Sequence, residues 1–388
     1  MPLRLPSEQS RRKREILDSI KDRASTREAV EANAALLERE GLLTSPQDFT
    51  TLISVLGRRT MTARALSLLD EMKHRGPRPN VIHFNAAIGA CEAAGQWQCA
   101  LALLDQMRAM GTPSDVISFN AAISACAKGG QVDYALALLY QMTPLGVVPN
   151  VISYTSAIDA CSRAGHWESA LLLLQAMPCA GVVPNHISFN SAIRALSKGG
   201  GPYQVALALL GQMELMCMWP DVVSYSSAMD ACGKGGQWWH ALALLHRMWQ
   251  MGMTPDIFCY GVVITACEKG AEWARALELL SEMQSVGIAA DVVCFSAAIS
   301  ACEKGAKWKQ ALDLLDSMLL SSGVPPNAFS FNAAISACAR SGRWEEALLL
   351  LLSMQRLRVA PDAVSFNAAM SACGRTGRWE WALELMRQ

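Results

Sequence analysis

The stretch VISFNAAISACAKGGQVDYALALLYQMTPLGVVPN, residues 116–150, recurs with variations along most of the chain. VIHFNAAIGACEAAGQWQCALALLDQM starts at Val81, VISYTSAIDACSRAGHWESALLLLQAM at Val151 and VVSYSSAMDACGKGGQWWHALALLHRM at Val222, so copies follow every 35 residues or occasionally 36. Self-similarity at that period marks a solenoid, in which one supersecondary unit is stacked because no single unit can bury its apolar face. The 388 residues therefore read as one elongated domain, not the two or three globular ones such a length ordinarily implies.

Within the unit from Val116, Phe119, Ile123 and Cys126 lie at i, i+4 and i+7, one face of a helix. Ala121, Ala122 and Ala125 keep that helix narrow, so neighbours can approach closely. After Lys128-Gly129-Gly130 the chain turns, and Ala135, Leu136, Leu138, Leu139 and Met142 form a second apolar face at helical spacing. Gly146 stops that helix and Pro149 keeps the chain from continuing it. Each unit is thus a helical hairpin. The aromatic recurs at Phe84, Tyr154, Phe189, Tyr225, Tyr260, Phe295, Phe331 and Phe366. Trp97, Trp167, Trp238, Trp273, Trp308, Trp344 and Trp379 open the second helices, and at so fixed a phase both series are read as packing.

Units begin at Pro46, Val81, Val116, Val151, His186, Val222, Ile257, Val292, Ala328 and Ala363, the last ending inside its second helix. The array is expected to run over 46–388, after a charged N-terminal segment, 1–45, in which VEANAALLEREGLL suggests a degenerate capping repeat. Both ends leave room for a longer gene product. The units from His186 and Val292 carry one extra residue each, at Gly199-Gly200-Gly201-Pro202 and Ser321-Ser322-Gly323, where only local twist should change.

Thirteen cysteines look like a metal or disulfide framework until their phase is read. Cys91, Cys126, Cys161, Cys232, Cys267, Cys302, Cys338 and Cys373 share one position of the unit, and no C-x-x-C pair occurs. They are read as small buried thiols between helices, in a reducing compartment, with no metal, cofactor or disulfide. The six histidines have no C-x-x-C companion of the kind a zinc deaminase needs, so no catalytic residue and no enzyme activity is expected. No apolar run approaches the roughly 18 residues of a spanning helix, so no membrane contact is expected.

Constant positions build the scaffold, so function is sought where side chains stay polar but change identity. After the aromatic come Thr50, Asn85, Asn120, Thr155, Asn190, Ser226, Gly261, Ser296, Asn332 and Asn367. The last residue of each unit is Asn80, Asp115, Asn150, Asn185, Asp221, Asp256, Asp291, Asn327 or Asp362. Helix capping accounts for the second series. It does not account for the first, which sits inside a helix where Asn, Ser and Thr are mediocre formers. Three residues before each of these stands an apolar side chain on the same face: Ile82, Ile117, Ile152, Ile187, Val223, Phe258, Val293, Phe329 and Val364. An apolar residue beside an amide or hydroxyl, repeated along the array, is suited to clamp a base and read its edge. Lys plus Arg equals Asp plus Glu at 34 each, which conceals a basic row: Arg58, Lys128, Arg163, Lys198, Lys234, Lys269, Lys304, Arg340 and Arg375, broken only at Ala93. Such a row suits phosphates, one per unit, although a cation there also offsets the helix dipole.

With its 35-residue period, Phe/Tyr, glycine turn, ALxLLxxM run and terminal Pro-Asn/Asp, the chain resembles the pentatricopeptide repeat family over about residues 46–388. The W-x2-L-G-x2-Y signature of tetratricopeptide units is absent. The resemblance implies an all-α fold, a right-handed superhelical α-solenoid of about ten helix-turn-helix repeats. It also implies single-stranded RNA as partner, bound one base per repeat from 5′ to 3′ along the chain. By the family's pairing rule Asn85/Asp115, Asn190/Asp221 and Asn332/Asp362 imply uracil, and Thr50/Asn80, Thr155/Asn185 and Ser296/Asn327 adenine. Ser226/Asp256 implies guanine, Asn120/Asn150 a pyrimidine, and Gly261 a permissive position, giving A-U-Y-A-U-G-N-A-U. Family members act by occupancy or by recruiting an RNA-processing enzyme in chloroplasts or mitochondria; here the arginine-bearing start also holds Glu8, Glu15, Asp18 and Asp22, unlike a transit peptide. The alternative is a protein-binding solenoid scaffold.

Overall fold

The structure is a computed structural model that describes residues 8–22, 26–43, 45–75, 77–320 and 323–386. Among them every regular element is a helix, and each repeat is a helical hairpin. The insertion at Ser321-Ser322 lies outside the described residues, as do residues 1–7 of the N-terminal segment. That segment contributes helices Glu8–Lys21 and Arg27–Arg39. Ile16 and Ile20 of the first, and Val30, Ala34 and Leu37 of the second, are buried.

The chain divides into two compact units, 1–199 and 200–388, which part within the glycine run that carries an extra residue. In the first unit the helices Pro46–Arg58, Val81–Ala94, Val116–Lys128, Val151–Ala164 and His186–Gly199 pack each on the next. In the second the same holds from Val222–Lys234 through Ala363–Arg375. Within a unit, a second helix such as Trp97–Ala109 sits between its own first helix and the following one. The hairpins therefore stack by sharing a continuous core.

That core holds the repeating residues. Phe84, Phe119, Phe189, Tyr225, Tyr260, Phe295 and Phe331 are buried, and so is the whole in-phase cysteine series. Burial raises the thiols, Cys232 and Cys267 to about 12, because a thiolate there would be desolvated. The second helices bury Ala, Leu, Leu and Met, as in Ala100, Leu103, Leu104 and Met107.

From Val81 onward the first helices are capped in one way. The closing Asn or Asp of the preceding unit takes extended backbone angles and its side chain accepts from the backbone N–H three residues on, as Asp115 does from Ser118 at 2.8 Å. The Ser118 hydroxyl in turn accepts from the Asp115 backbone N–H, closing a capping box. Second helices have no such side-chain cap at Gln96, Gln131, His166, Gln237 or Glu272. Their opening Trp is instead laid against the next unit's turn. A Cβ built on Gly270 would come within 2.4 Å of Trp238 Cδ1, and one on Gly305 within 2.5 Å of Trp273 Cδ1. Gly270 is thus required by the indole face. The left-handed residue that reverses the chain is the next one, Gly130 or Gly236 in some units but Ala271 (φ 58°) and Ala306 (φ 51°) in others.

Candidate nucleic-acid interface

Along the first helices runs a row of exposed apolar side chains. Ile82, Ile117, Ile152, Ile187, Val223, Phe258, Val293, Phe329 and Val364 are each 50–62% exposed, while the aromatic two residues later is buried in most units. Exposing so many large apolar groups at one phase serves no core and marks a contact surface.

Several of the polar residues that share this face are brought together with the closing residues of the same units. Asn85 Nδ2 donates to both carboxylate oxygens of Asp115, at 3.0 and 3.2 Å, and Asn332 does the same to Asp362 at the same distances. Asn120 Nδ2 donates to Asn150 Oδ1 at 3.2 Å. Thr155 and Ser296 reach their partners through a serine: Thr155 Oγ1 lies 3.0 Å from Ser188 Oγ, which donates to Asn185 Oδ1 at 3.0 Å. Ser296 and Ser330 lie 2.8 Å apart, and Ser330 donates to Asn327 Oδ1 at 2.9 Å. Thr50 donates to the Pro46 carbonyl, which His83 also meets at 2.9 Å, and Ser226 donates to the Val223 carbonyl. Asn190 belongs to the first compact unit and Asp221 to the second. Most of the first series is half-buried; Ser226, Ser296 and Asn332 are buried and Asn367 is exposed.

The bridging serine, at the position before the aromatic, went unread in the sequence. Ser118, Ser153 and Ser365 each donate to the side-chain oxygen of the preceding unit's Asn85, Asn120 or Asn332 and also to their own cap. The bond to the amide oxygen orients the amide so that its nitrogen faces the closing residue. The signal was present as the recurrent I-S-F/Y. Asp48, His83, Cys259 and Cys294 stand in its place in four units. These bonds also set the carboxylates. Burial alone would raise the Asp115 carboxyl, but the Ser118 N–H, Asn85 and the Ser118 hydroxyl hold it below its usual range. At Asp362 the Ser365 N–H leads, with the Ser365 hydroxyl and Asn332, and the carboxyl is again held low.

The basic row is partly neutralised. Lys128 pairs with Glu92 at 3.1 Å, Arg163 with Asp159 at 2.7 Å, Lys234 with Asp230 at 2.9 Å, Lys304 with Glu268 at 3.0 Å and Arg340 with Glu303 at 3.4 Å. Arg58, Lys198, Lys269 and Arg375 are exposed and form no ion pair among the described residues. The carboxylates escaped the sequence reading because some, such as Glu92, lie on the preceding repeat's first helix and others, such as Asp159, one turn back on the same helix. Among the described residues no group of His, Cys, Asp and Glu is placed to hold a metal ion, and no helix is long and apolar enough to cross a membrane.

Three family models match this sequence. The PPR repeat family matches residues 79–128, 114–163, 149–198, 220–269 and 326–375. The pentatricopeptide repeat domain matches 36–94 and 278–341, and the PPR repeat matches 258–288 and 364–388. No curated protein matches the chain. Among solved structures it is similar to the pentatricopeptide repeat protein PPR10 in complex with an 18-nt psaJ RNA element, at 21% identity and a TM-score of 0.64. That match covers 92% of this chain and 57% of the other, so the chain spans a little over half its length. A further structure of PPR10, from maize, gives 19% identity, 92% and 65% coverage and a TM-score of 0.43. The PPR domain of protein-only RNase P 1 from Arabidopsis thaliana, in complex with tRNA, gives 18%, 41% and 83%, and 0.37. The first of these likenesses establishes a shared helical-repeat fold.

Proposed function

Because this chain belongs to the pentatricopeptide repeat family, we propose that it binds single-stranded RNA along the exposed apolar row, one base per repeat, with the paired polar residues reading each base. The observation that carries this reading is the coincidence of two periodic features on one face. Apolar side chains at 50–62% exposure offer platforms for unstacked bases, and beside them the hydrogen-bonded pairs such as Asn85/Asp115 offer a fixed donor and acceptor pattern. Ser118 and its equivalents hold that pattern in place before any base arrives. The similar structure with an 18-nt RNA element is in keeping with such a ligand.

The target read from the pairs is A-U-Y-A-U-G-N-A-U. Arg58, Lys198, Lys269 and Arg375 supply phosphate contacts, and the ion-paired cations exchange a carboxylate for a phosphate on binding. The array from Pro46 onward is the reading body and residues 1–45 cap it. In the cell the protein acts without catalysis, by occupying a transcript or recruiting an RNA-processing enzyme, in a chloroplast or mitochondrion. The test is binding of the nine-nucleotide RNA and its scrambled version across a salt series. The reading requires tighter binding of the designed RNA at physiological salt and a log-log salt slope of about −0.7 per phosphate neutralised. Equal binding of both, or affinity indifferent to salt, points instead to a protein-binding scaffold.

A further inference from the structure

The second helices Trp344–Arg356 and Trp379–Met386 both pack on the first helix between them, Ala363–Arg375, and a groove of about 380 Å³ opens between the pair. Buried Leu351 lines it together with Leu349, Leu352 and Trp381, which are 62%, 52% and 51% exposed. The Trp344 and Trp381 rings stand on its two sides with centroids 6.4 Å apart. The repeat does not require this apolar lining. At the place of Leu352 the repeats from Pro46, Val81 and Val292 carry Asp70, Asp105 and Asp316, and at the place of Leu349 those from Val81, Val116 and Val222 carry Ala102, Ala137 and Ala243. The corresponding groove between Trp97–Ala109 and Val132–Met142 is lined in part by Asp105, Arg108, Thr112, Ser114 and Gln141. Five consecutive leucines, 348–352, give one helix a second apolar face beyond the one that enters the core, and such a face marks a contact surface.

We propose that this groove docks an amphipathic helix of a partner protein, apolar along one face and basic along its flanks. It lies on second helices, apart from the first-helix row assigned to RNA, and its failure would leave the RNA-binding reading untouched. Both walls are helices, so an extended partner finds no strand edge to pair with, whereas an apolar helix face can settle ridge into groove between them. The wall from Trp344 to Gln355 runs about 16 Å, about three turns of such a helix. Charge decides the partner. The charged residues lining the groove are Glu345 and Glu384, one on each wall, and Glu346 and Glu380 stand in the first turns of the same two helices. Glu346 is paired with Arg343 at 3.3 Å, and Arg378 lies over the Trp344 ring at 5.3 Å without lining the groove. A second copy of this chain would bring Glu345 and Glu384 against their own equivalents, because a two-fold interface meets itself and like charges there are penalised. Lysine or arginine beside an apolar helix face meets the same carboxylates favourably.

The probe is a fluorescent fourteen-residue helical peptide with leucines at i, i+3, i+4 and i+7 and lysines on both flanks, measured by anisotropy on the full chain beside a peptide with glutamate in place of every lysine. The lysine peptide is expected to bind about tenfold or more tighter than the glutamate peptide. The double variant Leu349→Ala/Leu352→Asp installs residues that other repeats carry at these places, so it should keep the urea midpoint of the parent chain. It is expected to weaken the lysine peptide about tenfold or more even though it adds a negative charge, because the apolar contact is gone. Glu345→Lys/Glu384→Lys is expected to reverse the preference, so that the glutamate peptide binds the tighter. No binding of either peptide, equal binding of the two, or a leucine double variant that binds as the parent does overturns the proposal. So does a dimer seen by sedimentation that the same double variant dissolves, since the groove would then be covered by a second copy.

Discussion

In the repeat from Val81, Asn85 clasps both oxygens of Asp115, whereas in the repeat from Ile257 Gly261 leaves Asp291 facing an open cavity. Around this difference the two repeats are built alike. Phe84 and Tyr260 are buried, Ile82 and Phe258 are 60% and 58% exposed, and Asn80 and Asp256 cap the two first helices. The cap is satisfied by backbone N–H groups, so it survives whether or not a side chain from the same helix's neighbour also joins the closing residue. The reading pair can therefore change while the hairpin does not. A second contrast lies at the turn: Gly95 reverses the chain after the Val81 helix at φ 68°, while after the Ile257 helix the task is divided between Gly270, pressed under Trp238, and Ala271 at φ 58°.

The largest expected effect breaks the scaffold and spares the reading. Gly270→Ala drives a methyl into Trp238 and is expected to lower stability by about 1–3 kcal/mol. Urea denaturation should record that loss, with base preferences unchanged in the remaining folded protein; a neutral substitution would show that the indole is free to move. Next, Ser118→Ala removes the hydroxyl that joins Asn85 to Asp115. A buried hydrogen-bonded pair loses a donor, at about 1–2 kcal/mol, and discrimination at the second nucleotide should relax while the seventh, faced by Cys294, is untouched. An equal loss at both nucleotides would mean that serine acts through the scaffold.

Smaller still, Ala271→Gly relieves a left-handed alanine. The strain of about 1–2 kcal/mol is offset in part by the extra freedom of unfolded glycine, so a gain of about 0.5–1 kcal/mol is expected in the same urea assay. The least effect is kinetic. Cys179 and Cys217 are exposed and should alkylate readily in the folded protein, whereas Cys232 and Cys267, buried and raised to about 12, should react only on unfolding. Mass mapping of iodoacetamide adducts reports this directly, and rapid labelling of Cys267 would contradict the packed core.

Much of this was legible because a repeat shows each constraint many times over. The period, the paired faces, the glycine turn and the closing Asn or Asp each recur in phase, and the helices begin at Val81, Val116 and Val151 where the sequence places them. The exposed row at Ile82 and its equivalents was legible for the same reason. What stayed hidden depends on contacts between units. Ser118 drew no reading because serine recurs at its position in most units, yet it connects the variable Asn85 to the cap of its own helix. The basic row looked bare because its ion-pair partners are spread over two phases, Glu92 and Glu303 in the preceding repeat but Asp159 and Asp230 one turn back on the same helix. The cavity beside Gly261 stayed hidden because a sequence records a missing side chain but not the space it leaves.

The most direct measurement of one base per repeat is the base preference of Asn85→Thr, determined at every nucleotide of the nine-nucleotide RNA. A threonine hydroxyl facing Asp115 would match the hydroxyl and carboxylate of Ser226 and Asp256, so preference at the second nucleotide should move from uracil to guanine and all other preferences should stay. A preference that shifts at several nucleotides, or at none, would contradict the assignment of one reading pair to one base.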